Sequence, residues 1–195
     1  MRYIVSSRAD CYVGSSHQPG RTTLTKHNIL FVCTANICRS PAAEYLARDQ
    51  FGDEEFRFAS AGFLRDDETV PSDLVSVLRK RGLDATPHRS HVLVQEYLDD
   101  ADLVLTMESQ HIQNIAIDFP DSFPKSLPLM EAADRLRGRR VPLDLFKAEI
   151  QTRNPMSYLG REWDVDDPYK RGKRKYRKAV DQIDELVATV LGAIS

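Results

Sequence analysis

The chain has 195 residues, 42% hydrophobic and 29% charged, with a formal net charge of −2. That length suits one well-packed domain rather than two, and the near-neutral balance gives no global reason to expect nucleic acid or a membrane surface as partner. Three cysteines, Cys11, Cys33 and Cys38, are too few and too odd in number for a disulfide scaffold, which fits a reducing, cytoplasmic setting.

No apolar run approaches the roughly 18 residues of a membrane span. The opening MRYIVSSRADCYVG lacks the apolar core of a secretory signal. Residues 1–26 carry Ser, Thr, Gly and Arg without periodicity and read as a loosely ordered extension. Cys11 within it reads as a stray thiol, since nothing around it suggests a positioned site. The folded domain is then expected over 27–195.

His27 to Ala43, HNILFVCTANICRSPAA, holds the strongest local signal. Ile29 to Val32 read as a buried strand, Cys33 to Ser40 as a tight loop, and the chain near Ser40–Pro41 as a helix start. Pro41 suits a first helical turn, where its missing N–H is no loss. Backbone N–H groups of such a loop converge on one anion, and the helix N-terminus adds positive potential. The same field favours the thiolate form of Cys33. Arg39 offers a planar fork for phosphate oxygens. A buried core cysteine is the plainer reading of Cys33. The strand–loop–helix setting, at the carboxyl end of a strand, favours a nucleophile in an anion cradle.

Downstream, Pro41 to Phe51 has helical spacing and stops at Gly52. Phe56 to Gly62 reads as a second strand, Val70 to Arg81 as a helix stopped by Gly82, and Asp102 to Met107 as a third strand. Ser109 to Ile117 is helical, and Lys125 to Leu129 is a fourth strand after the turn signals Pro120 and Pro124. Arg135 to Asn154 reads as an elaboration beside the mouth of the site. Its cluster Arg135, Arg137, Arg139 and Arg140 is taken as a solvated basic face. The last helix carries Val180, Ile183, Leu186, Val187, Val190, Leu191 and Ile194 at i, i+3, i+4 spacing. Alternating strands and helices imply an α/β three-layer sandwich with a four-stranded parallel sheet and helices on both faces.

The run Val32-Cys33-Thr34-Ala35-Asn36-Ile37-Cys38-Arg39-Ser40-Pro41-Ala42-Ala43-Glu44 resembles the phosphate loop of the low-molecular-weight protein tyrosine phosphatases, which usually reads V-C-x-G-N-x-C-R-S-P-x-A-E. Ala35 stands where that family usually has Gly. The resemblance runs from about His27 to the C-terminus. It implies hydrolysis of phosphate monoesters, protein phosphotyrosine or aryl phosphates, through a phosphocysteine on Cys33. Arg39 would hold the phosphoryl group, and Thr34, Ala35, Asn36, Ile37, Cys38 and Ser40 would form its cradle. Neither a cofactor nor a metal is implied.

The family carries its general acid in an Asp-Pro pair near the C-terminus, followed by an aromatic. Asp167-Pro168-Tyr169 matches it, with Asp166 a second acid beside it. Pro168 restricts Asp167 to extended conformations. Tyr169 would supply one aromatic wall. The resemblance also implies that Ser60 and His88 support Asn36, and it places Met107-Glu108 at the end of the third strand. The other aromatic wall commonly stands four residues after S-A-G, where this chain has Asp66.

The basic run Lys170 to Lys178 follows directly. Positive charge at a helix start opposes the helix dipole, so the run is a candidate rim for an acidic partner. Nucleic acid is disfavoured, because one short run brings neither a recognition fold nor a stacking platform. Two alternatives stand beside the phosphatase: a thiol-coupled arsenate reductase on the same fold, which would need cysteines beyond Cys38, and a phosphate-binding module without turnover.

Overall fold

The computed structural model describes residues 26–64 and 66–195. The expected extension thus lies almost wholly outside the described residues, as does Cys11. Among the described residues, no helix is long and apolar enough to cross a membrane.

Four strands form one sheet in the order β2-β1-β3-β4: β1 (His27–Cys33), β2 (Phe56–Gly62), β3 (Leu103–Thr106) and β4 (Ser126–Pro128). All three pairings are parallel, with Cys33 opposite Gly62 and Val32 opposite Thr106. β1 is central and buried on both faces, so it reads as an unbroken apolar run rather than an alternating one. Its alternation instead sorts two cores. Ile29 and Phe31 face one, with α1 (Arg39–Phe51), α2 (Ser72–Arg79), α5 (Leu129–Leu136), α6 (Leu143–Ile150) and α7 (Lys173–Ile194). Leu30 and Val32 face the other, with α3 (Gln95–Asp100) and α4 (Ser109–Asp118).

The chain leaves β1 towards β2 on one side and returns to β3 on the other. That reversal opens a crevice at the carboxyl ends of β1 and β3, where ligands bind in open α/β sheets. Cys33 is the last residue of β1 and sits at this point.

The apolar stripe of α7 buries Val180, Ile183, Val187, Val190 and Leu191 against the first core. Two short helices, α3 and α5, escape the sequence pattern because each offers fewer than three turns of periodicity.

The segment after α5 corrects one expectation. Arg140 to Asp144 lie beside His27 and Ser195, and Lys147 pairs with Asp102 at the start of β3 at 3.7 Å. This is the end of the sheet opposite Cys33, not the mouth of the site. The basic cluster itself is solvated as expected: Arg135, Arg137, Arg139 and Arg140 are all exposed, with Arg135 pairing Glu131 at 2.7 Å and Arg139 pairing Glu149 at 2.8 Å. The return is anchored by buried Arg153, whose guanidinium donates to the carbonyls of Phe123 and Ser126, while Tyr158 donates to Glu131 at 2.8 Å. The chain thereby comes back to the carboxyl edge at Asp164 and Val165.

Candidate active site

The loop 34–38 joins β1 to α1. Among the described residues, none of its backbone N–H groups has an acceptor. Unpaired donors over five consecutive residues are what an anion cradle requires. α1 follows at once, with no acidic side chain in its first turn to offset the positive end.

Asn36 is the loop's one left-handed residue, with φ 52°. Asn tolerates that region better than most side chains, and the contacts around it are dense. Its Nδ2 donates to Ser60 Oγ at 2.8 Å and to Ser40 Oγ at 3.0 Å, and its Oδ1 accepts from the His91 N–H at 2.9 Å. His88 Nε2 donates to its carbonyl at 2.8 Å. Burial, opposed by that hydrogen bond, lowers the His88 pKa, consistent with the neutral ring. Ser60 in turn donates to buried Glu44. Ala35 does not adopt a positive φ, so its Cβ adds no strain of that kind.

Gly62 closes β2 against the loop. A Cβ there would lie 2.6 Å from the Asn36 nitrogen and 2.9 Å from the Ala35 carbonyl carbon. The next residue, Phe63, donates its N–H to the Thr34 carbonyl at 2.8 Å. Strand two therefore presses directly on the back of the cradle.

Cys33 is buried at 2% exposure. Ser40 Oγ lies 3.0 Å from its Sγ, so the hydroxyl can donate to the sulfur while accepting from Asn36. Cys38, at the far end of the loop in sequence, is also buried, its sulfur 3.6 Å from Tyr176 Oη. Burial pushes the Cys38 thiol up to about 12.

Arg39 is almost fully buried, and the charged groups around it among the described residues are anionic. Its Nη1 is paired with Glu108 and donates to the Val165 carbonyl at 3.1 Å. Its Nη2 donates to Thr34 Oγ1 at 3.1 Å and lies 3.3 Å from Asp167 Oδ2. Burial alone would lower its pKa, but the charges of Cys33, Glu108 and Asp167 hold it above the ordinary value. Thr34 Oγ1 also meets His111 Nε2 at 3.0 Å. Since Thr34 accepts from Arg39, its own proton faces His111. Burial and the Arg39 charge hold the His111 pKa down at about 3, so the ring stays neutral and can accept it.

Asp167 is half-exposed at the rim, its Oδ1 accepting from the Tyr169 N–H at 3.1 Å. Asp166, its neighbour in sequence, does not line the cleft. Asp164 Oδ1 caps α4 by accepting from the Ser109 N–H at 2.8 Å, and Val165 N–H bonds the Met107 carbonyl at 2.8 Å. These two bonds tie the acid-bearing segment to the end of β3.

The cleft encloses about 600 Å³, with Cys33 and Arg39 at its floor and Ile37, Phe63, Leu64, Glu68, Asp167 and Tyr169 around it. Asp66 is not the missing wall: its carboxylate accepts from the Val92 N–H at 2.5 Å and pins the loop after β2. Phe63 takes that place, with its ring stacked 5.5 Å from that of His111. Sequence reasoning gave no role to Phe63, Glu108, His111 or Asp164. The available signals were the acid ending a buried strand (Glu108) and an Asp beside a helix start in space, which no local pattern reveals.

A family model described as low molecular weight phosphotyrosine protein phosphatase matches residues 28–130. The chain is 30% identical to a protein-arginine-phosphatase of Geobacillus stearothermophilus, over 83% of this chain and 91% of that one. It is 36% identical to a probable low molecular weight protein-tyrosine-phosphatase, EpsP, of Ralstonia nicotianae, over 82% and 90%. Among solved structures, a low molecular weight protein tyrosine phosphatase from T. tengcongensis superposes with a TM-score of 0.66 at 28% identity, covering 86% of this chain and 99% of that one.

Proposed function

The chain belongs to the low molecular weight phosphotyrosine protein phosphatase family, and from that premise we propose that it hydrolyses protein phosphotyrosine through a phosphocysteine on Cys33. The observation that carries this reading is one cleft in which Cys33, Arg39 and Asp167 meet, although the acid lies more than a hundred residues downstream of the loop. In the first step the Cys33 thiolate attacks phosphorus, the S–P bond forms and the P–O bond to the tyrosine ring breaks. Asp167 gives its proton to the leaving phenolic oxygen. The loop N–H groups and Arg39 hold the phosphoryl oxygens as charge develops on them. In the second step water attacks phosphorus, Asp167 takes its proton and the S–P bond breaks. The Ser40 hydroxyl, 3.0 Å from the sulfur, stabilises the departing thiolate.

Glu108, and Thr34 backed by His111, fix the guanidinium of Arg39 in its plane; they position it rather than touch substrate. Phe63, Ile37, Leu64 and Tyr169 supply apolar walls suited to an aryl ring. The cleft's depth favours a long aryl phosphate over a short serine phosphate. The exposed basic residues of 170–178 stand beside Tyr169 and favour acidic partners through long-range attraction.

A second reading, phosphoarginine, draws on Glu68 and Asp167 at the cleft wall, two carboxylates able to accept from a guanidino group, and on the arginine phosphatases among the relatives. The deciding experiment measures kcat/KM for matched phosphotyrosyl and phosphoarginyl peptides. A preference for phosphotyrosine supports the first reading; a preference for phosphoarginine replaces it with the second. An arsenate reductase has no further cysteine after Cys38 to use, and assay with arsenate and thioredoxin tests that route directly.

A further inference from the structure

A second cavity, of about 900 Å³, opens from the catalytic cleft, and the two share Ile37, Glu68 and Tyr169 as a common edge. Its length is set by α2. Leu74, Val77 and Leu78 of that helix are buried in the core. The other face presents Ser72, Val75, Ser76 and Arg79 to the groove, followed by Lys80. These positions are i, i+3, i+4, i+7 and i+8, one continuous stripe of a helix. The stripe changes character along its length. Near the cleft it is small or apolar, and Arg79 and Lys80 place two exposed cations at the far end. Among the described residues Arg79 pairs with Asp84 at 3.3 Å, and both side chains are more than half exposed, so that pair binds the guanidinium weakly.

We propose that this groove receives the polypeptide flanking the phosphorylated residue of a protein substrate, and that Arg79 and Lys80 select an acidic side chain in that flank. The proposal rests on the reading that the substrate is a phosphoprotein. Continuity with the catalytic cleft argues for this occupant, because the shared edge gives one flank of a chain held by its phosphoryl group a direct path into the groove. The distance follows from the helix. α2 has eight residues and is about 12 Å long at 1.5 Å per residue. An extended chain covers that in about three to four residues at 3.3–3.6 Å each.

The test uses synthetic phosphotyrosyl peptides with Glu, Ala or Lys placed three and four positions from the phosphoresidue, on its N-terminal or its C-terminal side. Para-nitrophenyl phosphate is the flankless control. At low ionic strength the wild type should turn over the Glu peptide of one series with a kcat/KM about two- to fivefold above its Ala counterpart, the range of an exposed ion pair. The double variant Arg79→Glu, Lys80→Glu should lose that preference and favour the Lys peptide, with para-nitrophenyl phosphate turned over as before. Ser76→Trp, which fills the groove at mid-length, should raise KM for every peptide and leave the control unchanged. Peptides hydrolysed without discrimination by flank, or a charge reversal that affects all substrates alike, overturns the groove while the phosphatase reading stands. If neither these peptides nor their phosphoarginyl counterparts are hydrolysed while para-nitrophenyl phosphate is, the phosphoprotein reading itself fails, and the groove with it.

Discussion

Gly62→Ala changes one hydrogen for a methyl group outside the cleft, and the structure gives its consequence a scale. The added Cβ would sit 2.6 Å from the Asn36 nitrogen, 2.9 Å from the Ala35 carbonyl carbon and 3.0 Å from the Thr34 oxygen. All three are backbone atoms, so no side chain can rotate away. Restoring ordinary contact at 3.4 Å from the Asn36 nitrogen needs a retreat of about 0.8 Å by the loop or by β2. Neither yields readily, since β2 pairs with β1 through the whole of its length and Asn36 is held by Ser40, Ser60, His88 and His91. Overpacking of this kind costs about 1–3 kcal/mol, or a fall in Tm of about 2–12 °C for a domain of this size. A displacement near 1 Å in positioned reacting groups lowers rate by about 10²-fold. Thermal unfolding and kcat/KM for para-nitrophenyl phosphate measure both effects on one preparation. A variant with wild-type Tm and wild-type kcat/KM would refute the claim that strand two holds the cradle in shape.

Asp167→Asn should lower kcat by about 10²–10⁴, most for poor leaving groups and least for nitrophenolate, whereas Asp166→Asn should not; the opposite leaving-group pattern would exchange the two carboxylates. Peroxide should inactivate the enzyme reversibly through a Cys33–Cys38 disulfide, the oxidised Cys33 being trapped by the neighbouring thiol. Burial holds Cys38 as a thiol at neutral pH, so it is the trapping partner and not the first sulfur oxidised. Mass spectrometry that finds sulfinic acid on Cys33 with Cys38 free would contradict this. Neutralising Lys173 and Arg174, both exposed, should reduce kcat/KM for an acidic phosphotyrosyl peptide at low salt and leave para-nitrophenyl phosphate unaffected; equal effects on both, or none, would leave the run as solvated surface.

The parts legible in the sequence are those whose cause is local. β2 falls at Phe56–Gly62, the expected span, because turn signals bound it on both sides. α7 carries its apolar stripe through 22 residues, enough turns for the period to be unmistakable. The loop from Cys33 to Ser40 is contiguous, so its nature could be read from one motif. What stayed hidden depends on pairs far apart in the chain. Arg39 meets Glu108 and Val165, which are 69 and 126 residues away, and Thr34 meets His111 across 77. Phe63 carries no local signal, since the position where the family commonly has its aromatic wall holds Asp66, whose carboxylate serves the backbone of Val92 instead. The place of the segment 135–154 is not legible in the sequence for a related reason. Its clustered arginines are exposed, as that clustering suggests, but its route to the far end of the sheet is set by packing and by pairs such as Lys147 with Asp102, distant in sequence.

The central claim is a covalent phosphoryl group on Cys33, and rapid-quench mass spectrometry during turnover of an aryl phosphate tests it most directly. Asp167→Asn serves best, because nitrophenolate leaves without an acid while hydrolysis of the intermediate still needs the base. The account predicts one added phosphoryl group on the peptide containing Cys33, formed as fast as the burst of nitrophenolate, and its complete absence in Cys33→Ser along with all turnover. Steady turnover with no phosphoryl group on Cys33 at any time, or wild-type activity in Cys33→Ser, would contradict it.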